Sequence, residues 1–198
     1  MLKRSLVALI AGFGFLVGST VNAGEVSLDL YGLSYHLKKE EAYYNAPRSV
    51  GSSNGQWVFN PGAGIDYDFR EKGSMGFSGY TTLGYFQDCA DYPFYFAGLG
   101  VKYRNYLYGS DSMFWSVQLA GAVASAEDWT TVGGYNDTQT DIDNGRTTVF
   151  LPVGGLSLGY QFENKNYLSY TITYVPQNNN AGGTAGTNLL FMWLTFGF

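Results

Sequence analysis

From residue 24 onward the chain alternates between apolar and small or polar residues with a period of two. The alternation breaks and restarts so as to leave eight segments. A period of two belongs to a β-strand, whose successive side chains point to opposite faces. The segments fall at residues 28–37, 57–69, 75–86, 94–107, 113–126, 149–162, 167–175 and 189–198. In the first, Tyr31, Leu33, Tyr35 and Leu37 share one face, and Gly32, Ser34 and His36 share the other. In the second, Ile65, Tyr67 and Phe69 oppose Gly64, Asp66 and Asp68. In the fourth, Tyr95, Leu99, Val101 and Tyr103 oppose Gly98, Gly100, Lys102 and Arg104. Each strand is therefore apolar and aromatic on one face only. A secreted sandwich turns such faces inward, whereas a membrane barrel turns them outward to lipid.

The connections choose between the two. Residues 70–74, 108–112 and 163–166 are tight polar turns, while 38–56, 87–93, 127–146 and 176–188 are longer, so that short and long alternate strictly. That is the pattern of a barrel with short turns on the periplasmic side and long loops outside. The last segment sets Leu190, Met192, Leu194, Phe196 and Phe198 on one face. A terminal aromatic on an alternating strand resembles the signal by which the barrel-assembly machinery takes up outer-membrane proteins. The first residues fit that destination: Lys3 and Arg4 precede an apolar stretch, and Val21-Asn22-Ala23 is a small-residue cleavage site, so 1–23 reads as a cleaved signal peptide. No later stretch approaches the ~20 apolar residues of a spanning helix. The sequence thus predicts an all-β protein, with residues 24–198 forming a monomeric eight-stranded antiparallel transmembrane β-barrel of the bacterial outer membrane.

The composition agrees. Seventeen tyrosines and four tryptophans suit interfacial girdles, and 27 glycines suit the crowded inside of a narrow barrel. A net charge of −5 argues against a nucleic-acid binder, the lone cysteine excludes an internal disulfide, and the lone histidine excludes a histidine-rich metal site. The topology places His36 at the outer end of the first strand and Asp88-Cys89 in the second long loop, so both fall at the same rim. Histidine is the usual general base near neutral pH, an aspartate can orient it, and a cysteine beside it can act in acyl transfer.

At this point the chain resembles the lipid A palmitoyltransferase family. The run Leu30-Tyr31-Gly32-Leu33-Ser34-Tyr35-His36, then Lys38-Lys39-Glu40 and Tyr44-Asn45, is similar to the family's first strand and histidine-bearing loop. Phe86-Gln87-Asp88-Cys89 resembles its Phe-x-Asp-Ser segment, with Ala97-Gly98-Leu99-Gly100 following at matching spacing. Leu151-Pro152-Val153, Leu158-Gly159-Tyr160, Thr173-Tyr174-Val175-Pro176 and the closing Phe191-Met192-Trp193-Leu194-Thr195-Phe196-Gly197-Phe198 extend the resemblance over nearly all of the chain after residue 23.

The resemblance implies transfer of a palmitoyl chain from the sn-1 position of a glycerophospholipid donor to a hydroxyacyl chain of lipid A, without a cofactor or metal. It implies His36 as base, Asp88 as its orienting partner and Cys89 at the position of the family's serine. It also implies Gly100 as the floor of an acyl-length ruler, roughly 15 Å below Phe94 at ~3.3 Å per residue and ~40° tilt. Pro152 and Pro176 match prolines where strand pairing weakens and a lipid can pass laterally. Lys38, Lys39 and Arg48 in the first long loop are candidates to meet lipid A phosphates.

Two features depart from the family. Cys89 replaces a serine, and only residues 24–26 precede the first strand, leaving no room for an amphipathic helix. A lipid A deacylase is the competing enzyme, but the His-x-Ser pair of such barrels is His36-Leu37-Lys38 here. A structural or adhesin-like barrel, binding through the acidic loop 127–143, is the non-enzymatic alternative.

Overall fold

The alternating segments form eight strands: β1 (Glu25–His36), β2 (Trp57–Asp68), β3 (Gly76–Gln87), β4 (Pro93–Tyr106), β5 (Met113–Glu127), β6 (Arg146–Gln161), β7 (Tyr167–Val175) and β8 (Leu189–Gly197). The structure, a computed structural model, describes residues 24–37, 57–87, 93–127, 146–176 and 188–198. The segment 1–23 and most of the four long connections lie outside them. Each strand pairs antiparallel with its sequence neighbour, and β8 returns to β1, so the sheet closes as a barrel. The three short connections turn tightly, with Gly73 and Gly109 in the left-handed region at φ 77° and 76°. They define a turn end; the opposite, loop end carries the long connections.

The faces are inverted relative to a soluble protein. Outward-pointing Leu99, Leu119 and Phe150 are each more than 60% exposed. Glu25, Asp29, Asp66, Asp68, Arg70, Lys102 and Arg104 are buried inside. An apolar surface that wraps a whole barrel is far larger than water tolerates and marks a lipid-facing band. Aromatic pairs bound it at both ends: Tyr35–Trp57 and Tyr85–Tyr95 near the loop end, Phe77–Tyr103, Tyr103–Trp115 and Tyr160–Phe162 near the turn end. Closure gives every strand two neighbours, which lipid requires because it cannot hydrogen-bond a free edge.

Two expectations need correction. The first strand begins at Glu25, and both of its ladders shift register between Tyr31 and Leu33. This bulge at Gly32 resets the alternation: Tyr31 points inward with Ser27 and Asp29, while Ser34 and His36 remain inward and Leu33 and Tyr35 face out. Tyr31 therefore does not share a face with Leu33. Second, the aromatics are not confined to the lipid face. Tyr31, Phe86, Phe94, Phe96, Phe191 and Trp193 cluster inside the loop-end half, with Phe86 stacked on Phe94 at 4.5 Å between centroids. Inward glycines make room for such rings; on β4, a Cβ on Gly98 would crowd Thr82 and Ala122.

The lumen is thus divided. At the turn end, the Arg104 guanidinium donates to both Glu25 oxygens at 2.8 and 3.1 Å and lies between the Phe114 and Tyr167 rings, 4.8 and 4.3 Å from their centroids. Arg70 pairs with Asp68 at 3.2 Å and also reaches Ser78. Removing one partner of such a buried pair strands the other charge. Arg104→Ala is expected to lower unfolding free energy by about 3–5 kcal/mol, read as a fall in the urea midpoint of the refolded barrel. Glu25→Gln, which keeps the side chain's shape and a hydrogen-bond acceptor, is expected to cost less.

Candidate functional site

Above the ion pairs, inward side chains of the loop-end half enclose a cavity of about 90 Å³. Its walls are mostly apolar, from Tyr31, Phe86, Phe94, Phe191 and Trp193 to Leu151, Val153 and Leu189. Its deep end is polar, with Asp29, Asp66, Tyr80, Gln118 and Thr173. Apolar walls with a few placed polar groups are the usual build of a ligand pocket. The charged layer beneath closes it toward the turn end.

His36 ends β1 at the loop-end rim, points inward and is 1% exposed, opposite Leu189 of β8. Next to it the Leu37 N–H donates to the Asn188 carbonyl at 3.0 Å, continuing the β1–β8 ladder past the strand ends. Asp88 and Cys89 lie outside the described residues, as do Lys38, Lys39 and Arg48; Asp88 directly follows Gln87, the last residue of β3. The structure adds two buried residues to this region. Ser34 Oγ donates to Asn60 Oδ1 at 2.6 Å, and Asn60 Nδ2 donates to the Gln87 carbonyl at 3.0 Å. Hydrogen bonds thus tie the strand carrying His36 to the strand leading into Asp88, across β2. Asn60 was legible only as a polar residue among Val58, Phe59 and Pro61, and its inward direction depends on the β2 register.

Gly100 sits midway along β4, opposite Tyr80 of β3 and Ala120 of β5. A Cβ there would stand 2.6 Å from Tyr80 Cε1 and 2.5 Å from the Leu119 carbonyl oxygen. Gly100 therefore makes room for the Tyr80 ring, and that ring, with Lys102 Nζ 4.7 Å from its centroid, lies between the apolar walls of the cavity and the ion pairs of the turn end. Tyr80 is the floor residue that sequence reasoning missed.

Pro152 points outward in the loop-end half of β6. The β6–β7 ladder reaches only to Gly154–Tyr174, so among the described residues 146–153 pair with β5 alone. Pro176 directly follows Val175, the end of β7. Among the described residues the β2–β3 ladder stops at Gly62–Phe86, one residue before the end of β3.

A closed eight-stranded antiparallel barrel with an apolar outer band, two aromatic girdles and a charged inside is a barrel of the outer-membrane type. No protein family model matches the chain. No curated protein matches its sequence. Similar solved structures include the N-terminal β-barrel domain of Pseudomonas aeruginosa OprF, at 14% identity over 88% of this chain and 97% of that chain, TM-score 0.49. Neisserial surface protein A is similar at 11% identity over 88% of this chain and 94% of that chain, TM-score 0.49. The outer membrane enzyme PagL is similar at 12% identity over 88% and 98%, TM-score 0.44. These are likenesses of barrel shape, and the chemistry has to be argued from this chain's own residues.

Because a Cβ at position 100 would crowd both the Leu119 carbonyl and the Tyr80 ring on the cavity, Gly100→Ala is expected to weaken hexadecanoate binding severalfold more than dodecanoate binding. Titration followed by the fluorescence of Trp193, a cavity wall, checks this. Adding Tyr80→Ala should recover the part of that loss that comes from the ring, since the contact with the Leu119 carbonyl remains.

Proposed function

We propose that this barrel is an outer-membrane acyltransferase that moves a long acyl chain, palmitoyl by resemblance, from a glycerophospholipid to lipid A. The observation that carries the reading is an apolar cavity in the loop-end half of a lipid-embedded barrel, blind toward the turn end, with the inward His36 at the rim above it. A donor's acyl chain would lie among Phe86, Phe94, Leu151 and Leu189, leaving its ester near the rim.

In the proposed reaction the ester bond between acyl carbon and glycerol oxygen breaks, and a bond to an acceptor hydroxyl of lipid A forms. His36 takes the proton of the attacking group and returns it to the leaving glycerol oxygen, so the two esters exchange without an added reactant. Asp88 orients the imidazole. Cys89 serves as nucleophile or as a polar group positioning the ester; a thiolate is the stronger nucleophile, and an exposed thiol is open to oxidation.

Access also fits a membrane substrate. From Gln161 up to Gly154, β6 climbs roughly 18 Å at ~3.3 Å per residue and ~40° tilt, so the β6–β7 ladder ends inside an apolar band ~25 Å tall. A lipid could part the wall beside Pro152 without first breaking a full ladder.

Lipid A mass spectrometry on cells with and without the protein tests the proposal. A gain of one palmitoyl unit is expected. Loss of a hydroxyacyl chain would instead indicate a deacylase, and an unchanged spectrum a structural barrel. His36→Ala is expected to abolish the gain while the barrel keeps its heat-dependent shift on a gel, and Cys89→Ser to retain it. Full transfer by the His36 variant would remove His36 from the mechanism.

A further inference from the structure

We propose that the cavity accepts a linear chain carrying a hydrogen-bond donor at its inner end, an ammonium in preference to a hydroxyl, and that Asp29 and Asp66 receive it. This rests on the reading of the cavity as a chain-binding pocket and adds the chemistry of the chain's far end.

The inner charges do not balance at the cavity floor. Among the described residues facing the lumen, each buried cation has a carboxylate: Arg104 has Glu25, Arg70 has Asp68 and Lys102 has Asp66. Asp29 is the carboxylate left over. It is 1% exposed and accepts the Thr195 hydroxyl at 2.6 Å and a hydrogen bond from the Trp193 side chain, with no described cation in ion-pair range. Lys102 Nζ stands 3.7 Å from Asp66 Oδ2 and the Thr82 side chain also hydrogen-bonds this carboxyl, while the buried Oδ1 has no partner among the described residues. Thr173 Oγ1 on the same cavity is likewise buried without a partner among the described residues. Asp29 lies opposite Gly64 and Asp66 opposite Ser27 in the β1–β2 ladder, so the two acids are diagonal neighbours on its inner face.

A buried acceptor without a donor is unfavourable, and a buried carboxylate without a cation more so. A methyl terminus answers neither need, and a carboxylate terminus adds repulsion. A hydroxyl supplies the donor, and an ammonium supplies the donor and the missing charge. The apolar walls above exclude water from this contact and accommodate the methylenes that lead to it.

The test is a titration of the full barrel, reconstituted in phosphatidylcholine vesicles, with dodecanoate, ω-hydroxydodecanoate and ω-aminododecanoate, followed by Trp193 fluorescence. The ω-amino chain is expected to bind at least about tenfold more tightly than dodecanoate, with the ω-hydroxy chain between them. Asp29→Asn combined with Asp66→Asn is expected to remove the preference while dodecanoate still binds. Equal or weaker binding of the ω-amino chain to the unsubstituted barrel overturns the proposal on its own, even where the double variant fails to fold, and leaves the chain pocket standing. Binding of none of the three overturns both.

Discussion

The pairing of β8 with β1 is the interaction on which the rest of this molecule depends. Without it, two strand edges would face hydrocarbon with their N–H and C=O groups unsatisfied, several kcal/mol for each group. With it, the apolar faces of all eight strands can point outward at once, which no open sheet in water could sustain. The same ladder runs from Ser27–Gly197 at the turn end to His36–Leu189 at the loop end. Closure and the placing of the histidine are therefore one event, and the bulge within that ladder decides which side chains enter the lumen.

What the ladder encloses is sorted by height. The turn-end half is filled by paired charges, Arg104 with Glu25 and Arg70 with Asp68, since a buried charge in a low-dielectric space is tolerable only beside a partner. The loop-end half is filled by rings. Tyr80 marks the boundary, with its ring against the wall at Gly100 and Lys102 beside it. A lumen charged throughout would favour water, and one apolar throughout would collapse on itself. The division leaves room for a ligand only on the side facing the long connections.

Much of this was legible in the sequence because a strand's period is an integer. Parity assigns Asp66, Lys102 and Gly100 to the inside without any knowledge of packing, and alternating connection lengths give the order and orientation of strands. Parity fails where a residue is inserted. One glycine in β1 moved Tyr31 from wall to lumen, and nothing in the local composition distinguishes a bulge glycine from an ordinary one. The interior aromatics were missed for a related reason. Inside a barrel both a ring against a glycine and a pair of medium side chains satisfy the same alternation, so the pattern reports direction but not what fills the space. Asn60, Ser34 and Tyr80 matter through contacts across strands, which depend on register. Asp88 and Cys89, the residues on which sequence reasoning leaned most for chemistry, lie in a connection outside the described structure.

The unequal strand lengths carry a consequence that composition could not supply. β6 has 16 residues and β7 has 9, so the loop-end part of β6 extends past the described end of β7. Among the described residues the β6–β7 ladder has no pair beyond Gly154–Tyr174, at a depth where part of the stretch still lies within the apolar band. Proline is the residue that lowers the cost of such an edge, because it has no N–H to leave unpaired, and Pro152 occupies it. Gly154, at the point where pairing resumes, presents no side chain to obstruct the gap. In the proposed acyltransferase this edge of β6 is the place where a membrane-dissolved donor would pass the wall.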